Sequence, residues 1–175
     1  RKSRTDDYQM LIITTTSLET AWQPLIDLYK IRGIKALTVT KEYILANMTG
    51  QDPAEKVRNY IIQEYQGHNI EFVLLGGDVD LVPYRGLYCY VESGSGYEDY
   101  DIPADLYFQG LDGNWNTNGN NKWGEPGEDD LLPEISVARF TIGNLNELNR
   151  MLNKSIMYQS APVLGEMTHP LFAGE

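Results

Sequence analysis

The stretch DPAEKVRNYIIQEYQGHNIEFVLLGG, Asp52–Gly77, decides the fold. Asp52 is a helix cap, Pro53 suits the first helical position, and Glu55 can reach back to close a capping box. Val57, Tyr60, Ile61 and Tyr65 then recur at helical spacing, and Gly67 marks the expected stop. The run Ile70–Gly76 is apolar on both faces, as a central parallel strand must be. Toward the amino terminus, Tyr8–Thr14 (YQMLIIT) and Ile34–Thr40 (IKALTVT) read as two more strands. Between them Ala21, Trp22, Leu25, Ile26 and Tyr29 keep a helical period, with Ser17 as candidate cap, Pro24 tolerable only in a first turn, and Gly33 as a stop. Thr40 can cap a short helix over Lys41–Asn47. Strand–helix–strand–helix–strand predicts an α/β fold built on a parallel sheet.

Beyond Gly77 the pattern changes. Arg85–Val91 and Ala104–Phe108 are short strand candidates separated by loops, Glu134–Phe140 (EISVARF) is a further strand, and Asn144 caps a helix to about Gln159. Leu145, Leu148, Leu152 and Ile156 share one face of that helix. Pro170–Ala173 opens another strand just before Glu175, so the sheet is expected to be incomplete at the carboxyl-terminal end.

At 175 residues and 42% hydrophobic content the chain suits one ordinary domain, and no apolar run is long enough to cross a membrane. Fourteen Lys and Arg face 25 Asp and Glu, a formal net charge of −11, which disfavours binding to a phosphate backbone. The excess is localised. Residues 92–130 hold ten acids against Lys122, a net of −9, whereas the segments on either side each carry −1. That stretch is also rich in Gly and Asn and poor in aliphatic residues. It is disordered or something holds it, and its crowded oxygens point to a cation. The expected organisation is a front α/β unit over about residues 8–91, an acidic calcium-loop segment over about 92–133, and the start of a second unit over about 134–175.

Within the acidic segment the run Asp112-Gly-Asn-Trp-Asn-Thr-Asn-Gly-Asn-Asn-Lys-Trp-Gly-Glu125 sets oxygen donors at alternate positions. Calcium takes six to eight oxygens at roughly 2.3–2.6 Å, and a chain supplies them from alternate residues of a tight turn, with a glycine after the third ligand and a distant carboxylate closing the shell. Asn114, Asn116, Asn118 and Gly119 keep this register, Glu125 takes the closing position, and Asn120 offers its backbone carbonyl. Asn114 stands where Asp is usual, and Asp112 can compensate by joining or shifting the register. The alternative is an Asn/Gly surface loop without an ion.

Other residues offer less. Gly76-Gly77-Asp78 follows the central strand, where α/β proteins place their sites, but Val79–Tyr84 contains Pro83 and gives no helix N-terminus for a phosphate. Asp78 and Asp80 line a site or form a turn. Cys89, the one cysteine, lies in an alternating strand pattern between Tyr88 and Tyr90 and is expected to be buried. His68 reads as a surface turn residue, and His169 has no evident partner, so no Cys/His or Ser/His/Asp constellation can be assembled.

Several segments together resemble the first part of the catalytic unit of the gingipain family of bacterial cysteine endopeptidases. They are Tyr8–Thr14, Phe72–Asp78 (FVLLGGD), Asp101–Tyr107 (DIPADLY), Leu111–Gly119 (LDGNWNTNG), Trp123–Glu125 and Pro133–Arg139 (PEISVAR). The resemblance implies a caspase-like three-layer α/β sandwich, stabilised by Ca2+, in an exported or cell-surface protein that cuts polypeptides with a thiol. It also implies a catalytic His and Cys downstream of this chain, in the remainder of the peptidase, and makes Glu175 a candidate to orient the His. A terminal surface glutamate is the plainer alternative for Glu175. A second function is a non-catalytic, calcium-stabilised α/β binding or scaffold module. A weaker third is an anion-binding domain, against which the acidic balance speaks.

Overall fold

The computed structural model describes residues 8–92, 94–167 and 169; the strand expected at Pro170–Ala173 and the candidate Glu175 lie outside the described residues. Four strands, β1 (Met10–Thr14), β2 (Ala36–Thr40), β3 (Phe72–Gly76) and β6 (Ser136–Phe140), form a wholly parallel sheet in the order β2-β1-β3-β6. β4 (Arg85–Val91) and β5 (Tyr97–Ala104) form a separate antiparallel hairpin. The register pairs Leu11 with Leu37 and Val73, and Leu75 with Arg139.

Alternation along the strands divides the core between the two faces of the sheet. Leu11, Ile13, Val73 and Leu75 join Ile44 of α2 (Lys41–Asn47) and Val57 and Ile61 of α3 (Pro53–His68). Met10, Ile12 and Leu74 join Trp22, Leu25 of α1 (Gln23–Ile31), and Leu148 and Leu152 of α4 (Leu145–Ser160). Helices therefore cover both faces, giving the three-layer α/β sandwich expected from the sequence. Gly76 sits against Trp22: a Cβ there would lie 2.3 Å from the indole, so the end of β3 admits no larger residue without a shift.

The caps follow the sequence closely. Thr40 Oγ1 accepts from Tyr43 N (3.2 Å) and Asn144 Oδ1 from Glu147 N (3.1 Å). Asp52 Oδ1 accepts from Glu55 N (2.9 Å), and Glu55 Oε2 accepts from Gln51 N (2.7 Å). Asp52 also takes both Nη1 and Nη2 of Arg85 at 2.9 Å, which ties the start of α3 to the hairpin. Burial raises the Asp52 pKa, but the Arg85 and Glu55 N–H bonds outweigh it and hold the carboxyl below its ordinary range. A depressed folded-state pKa stabilises above the unfolded value and loses that contribution as pH falls through the folded value. Asp52→Ala is expected to cost about 1–2 kcal/mol through loss of the cap. The deficit against wild type should shrink as the protein is acidified below the ordinary Asp range. Urea melts at neutral and acid pH check this, and an equal deficit at both would contradict it.

Some boundaries differ from the expectation. Ser17 is no cap: Thr16–Trp22 is a 3-10 helix, and α1 begins at Gln23 with Pro24 in its first turn. α3 runs one residue past Gly67 and stops at Asn69, which takes the left-handed conformation at φ 56°. Asp105–Phe108 is a 3-10 helix, and the strand lies before it, at Tyr97–Ala104. On α4, Leu145 is exposed while Leu148 and Leu152 are buried.

Candidate functional site

The acidic segment docks through apolar anchors as well as polar ones. Tyr107, Phe108, Leu111 and Trp115 all enter the core that covers the α3 face of the sheet. Arg58, in the middle of α3, reaches under the segment: its Nε donates to Tyr107 O (3.0 Å) and Gly110 O (3.2 Å), and its Nη2 to Gly110 O (2.7 Å) and Gly113 O (2.9 Å). One guanidinium thereby serves three carbonyls, sharing that of Gly110 with the Trp115 indole. Trp115 closes the neck of the loop, since its Nε1 donates to Gly110 O (3.2 Å) and its carbonyl accepts from Gly124 N (2.8 Å). Tyr88 N donates to Trp123 O (2.8 Å), and Arg85 lies 4.2 Å from the Trp123 ring centroid and 4.7 Å from that of Tyr107. The two tryptophans thus hold the loop against α3 and the hairpin.

Above this neck the asparagines form a ring of turns. Asn114, Asn118 and Asn120 each accept through Oδ1 from the backbone N–H two residues on, at 3.2, 2.9 and 2.6 Å. This is the Asx turn, a short side chain standing in for the backbone. Gly119 supplies the positive φ of 71° needed at the bend. The amides of Asn118 and Asn120 both donate to Glu125 Oε2, at 2.9 and 2.7 Å, and these bonds hold the Glu125 carboxyl below the usual range. Asn116 Nδ2 donates to Asn120 O (2.6 Å). Five of the sequence candidates, Asn114, Asn116, Asn118, Asn120 and Glu125, therefore meet in one connected network.

The ring has a member that sequence spacing missed. Glu128 Oε1 accepts from Asn118 N (2.9 Å), while Glu128 Oε2 and Asn116 Oδ1 are buried oxygens without a hydrogen-bond partner. An amide oxygen and a carboxylate oxygen left without donors are of the kind a hard cation takes. The residues fit calcium.

Asp112 keeps different company. Its carboxylate lies with those of Asp130 and Glu134, one oxygen from each falling within 4.8 Å of the others. Asp130 Oδ2 accepts from Gly113 N (3.1 Å), and Glu134 Oε2 accepts from Leu111 N (2.5 Å). Asp130 and Glu134 thereby pin the return of the loop; Asp112 is a candidate by spacing, whereas the only advance sign of Asp130 in the sequence is the local charge of −9 in residues 92–130.

At the carboxyl ends of the strands, where α/β folds place their sites, Arg139 holds the connections together. It pairs bidentately with Asp105 at 2.8 and 2.7 Å and donates to the carbonyls of Gly77, Val82 and Pro83. Thr14 Oγ1 donates to Gly76 O (2.8 Å). Asp78 is a turn residue, accepting Val79 N on Oδ1 and Leu81 N and Val82 N on its carbonyl.

Cys89 is exposed, which corrects the expectation of a buried strand cysteine. Only the base of the hairpin, Arg85 and Leu87, reaches the core; Tyr90, Val91 and Tyr97 beyond it are exposed too. His68 lies elsewhere, at the end of α3 just before β3, stacked on Tyr8 at 5.0 Å and 3.7 Å from Glu64. His169 Nδ1 lies 3.0 Å from Gly165 O. The Cys89 thiol should be alkylated by iodoacetamide in the native protein without denaturant. Labelling that appears only on unfolding, read by intact mass, would contradict its position.

Among known proteins, the profile of Peptidase family C25 matches residues 3–174. No curated protein matches the sequence. The fold is similar to that of the RgpB pro- and mature-domain complex of Porphyromonas gingivalis, with 20% identity and a TM-score of 0.59 over 86% of this chain and 29% of that one. It is also similar to the Arg-specific cysteine proteinase gingipain R, with 20% identity and a TM-score of 0.58 over 90% and 29%. Dimeric latent PorU of P. gingivalis gives 17% identity and a TM-score of 0.57 over 87% and 16%. The chain spans less than a third of the length of these solved chains. No helix among the described residues is long and apolar enough to cross a membrane.

Proposed function

The chain belongs to peptidase family C25, and from that premise we propose that it is the amino-terminal portion of a calcium-stabilised cysteine endopeptidase, exported or held at the cell surface. The nucleophilic Cys and the base His then come from outside residues 1–175. The observation that carries this is the family match across residues 3–174, combined with a cysteine and a His68 that the fold keeps on unrelated elements. Thiol catalysis needs a base within hydrogen-bond reach of the sulfur, and nothing near Cys89 supplies one among the described residues.

The parts then have separate roles. The parallel sheet provides the platform. β2 and β6 are the edge strands among the described residues, and the remainder of the peptidase would pair along β6. Arg139 and Thr14 set the carboxyl edge on which a polypeptide substrate would be cut. Glu175, if it lies beside the base, would orient it. Ca2+ would be held by Asn114, Asn116, Asn118, Asn120, Glu125 and Glu128, with Asp112 closing the loop from the side. The ion supplies charge neutralisation and cross-linking of the loop, and takes no part in bond cleavage.

Hydrolysis of casein by the full-length protein, blocked by iodoacetamide and retained in Cys89→Ser, is the expected result. A full-length protein that cleaves no peptide substrate would favour the non-catalytic scaffold module.

A further inference from the structure

At the base of the β4–β5 hairpin lies a cavity of about 250 Å3, lined by Arg85, Gly86, Tyr100, Asp101, Asn121 and Trp123. None of the proposed calcium ligands lines it. A Cβ on Gly86 would lie 2.2 Å from Asp101 Oδ1 and 2.8 Å from Asp101 Cα, so glycine is what lets β5 approach this closely. The Asp101 carboxylate is thereby held over the Gly86 backbone at the cavity wall. Tyr84 OH donates to its two oxygens at 3.3 and 3.4 Å, the outer limit of hydrogen bonding, so a ligand hydroxyl at ordinary distance improves on it.

The aromatic side of the cavity is open to solvent. Tyr100 is 54% exposed. Lys122 Nζ lies 5.5 Å from the Tyr88 ring centroid and 5.6 Å from that of Tyr100, which places both tyrosines on one face of the hairpin. Tyr90, 56% exposed, shares that face by strand alternation, so a strip of rings leads outward from the cavity. Charge then decides the class of ligand. An anion meets Asp101 and Glu98, in a segment of net charge −9. A cation meets Lys122 over the Tyr100 ring and Arg85 4.2 Å from the Trp123 ring, each already paired with a carboxylate. A neutral ligand with a flat apolar face and hydroxyl donors meets neither opposition.

We propose that this cavity and the tyrosine strip bind a neutral glycan. One pyranose ring sits in the cavity against Tyr100, with its hydroxyls donating to Asp101, and the next ring lies on the strip toward Tyr90. The site goes beyond the peptidase reading and does not depend on it, since it uses neither the thiol nor a bound metal.

The test titrates the full-length protein, with calcium present, with cellohexaose, maltohexaose and chitohexaose, following calorimetric heat. At least one of the three should saturate at millimolar concentration. Tyr100→Ala should weaken its binding by about tenfold through loss of the stacked ring. Asp101→Asn should weaken it by about tenfold as well, the difference between a charged and a neutral acceptor. Both side chains are exposed, so both variants should fold. Tyr158→Ala, which removes an equally exposed tyrosine from α4, should leave the affinity unchanged. No saturation by any of the three sugars, an affinity that Tyr100→Ala leaves unchanged, or saturable binding of Nα-acetyl-lysine amide that Asp101→Asn abolishes would each overturn the proposal.

Discussion

Arg139→Ala is expected to destabilise the protein by about 3–5 kcal/mol, the cost of breaking a buried pair and stranding its partner. The Arg139 side chain is 9% exposed and that of Asp105 25%, so water cannot readily replace the lost bonds. The substitution abandons the Asp105 carboxylate and the carbonyls of Gly77, Val82 and Pro83 together. For a domain of this size the melting temperature should fall by roughly 6–20 °C. Arg139→Lys keeps the charge but loses the planar fork, and should recover only part of the loss. A full recovery by lysine would mean that charge alone matters there. A melting temperature unchanged in Arg139→Ala would mean that the carboxyl edge of the sheet does not depend on this residue.

The second large effect concerns the asparagine loop. An ion bound only by the folded state stabilises it by mass action, about 2.7 kcal/mol at a hundredfold excess over the dissociation constant. That corresponds to a melting temperature raised by about 5–11 °C on adding calcium, and to an equal drop on chelation. Glu125→Gln should abolish most of this response while keeping an acceptor for the amides of Asn118 and Asn120. Glu128→Gln should weaken it too, which distinguishes the ring seen in the structure from a loop that uses only the spaced asparagines. A chelator that leaves the melting temperature unchanged, in wild type and in Asn116→Ala alike, would exclude the metal.

The sequence made legible whatever depends on short-range pattern. β1 and β3 are apolar on both faces and so read as central strands, and Thr40, Asp52 and Asn144 cap the helices they precede. β5 was hidden because Tyr97–Ala104 (YEDYDIPA) is acidic, contains Pro103 and is exposed along most of its length. Its pairing with β4 comes from the hairpin, and hydrophobic alternation carries no trace of it. Likewise Asn114 to Glu125 could be recognised by spacing, whereas Glu128, Asp130 and Glu134 join their partners only once the loop has folded back. Arg58 could not be read at all. A cation in the middle of an amphipathic helix looks like a solvated side chain until the loop it supports is in place.

The most direct test of the central claim is where a peptidyl probe attaches in the full-length protein. A thiol-reactive peptidyl acyloxymethyl ketone, incubated with calcium present and mapped by mass spectrometry, should modify a cysteine outside residues 1–175 and modify it equally in Cys89→Ser. Attachment at Cys89, with activity lost in Cys89→Ser, would place the nucleophile on the exposed hairpin and contradict the account.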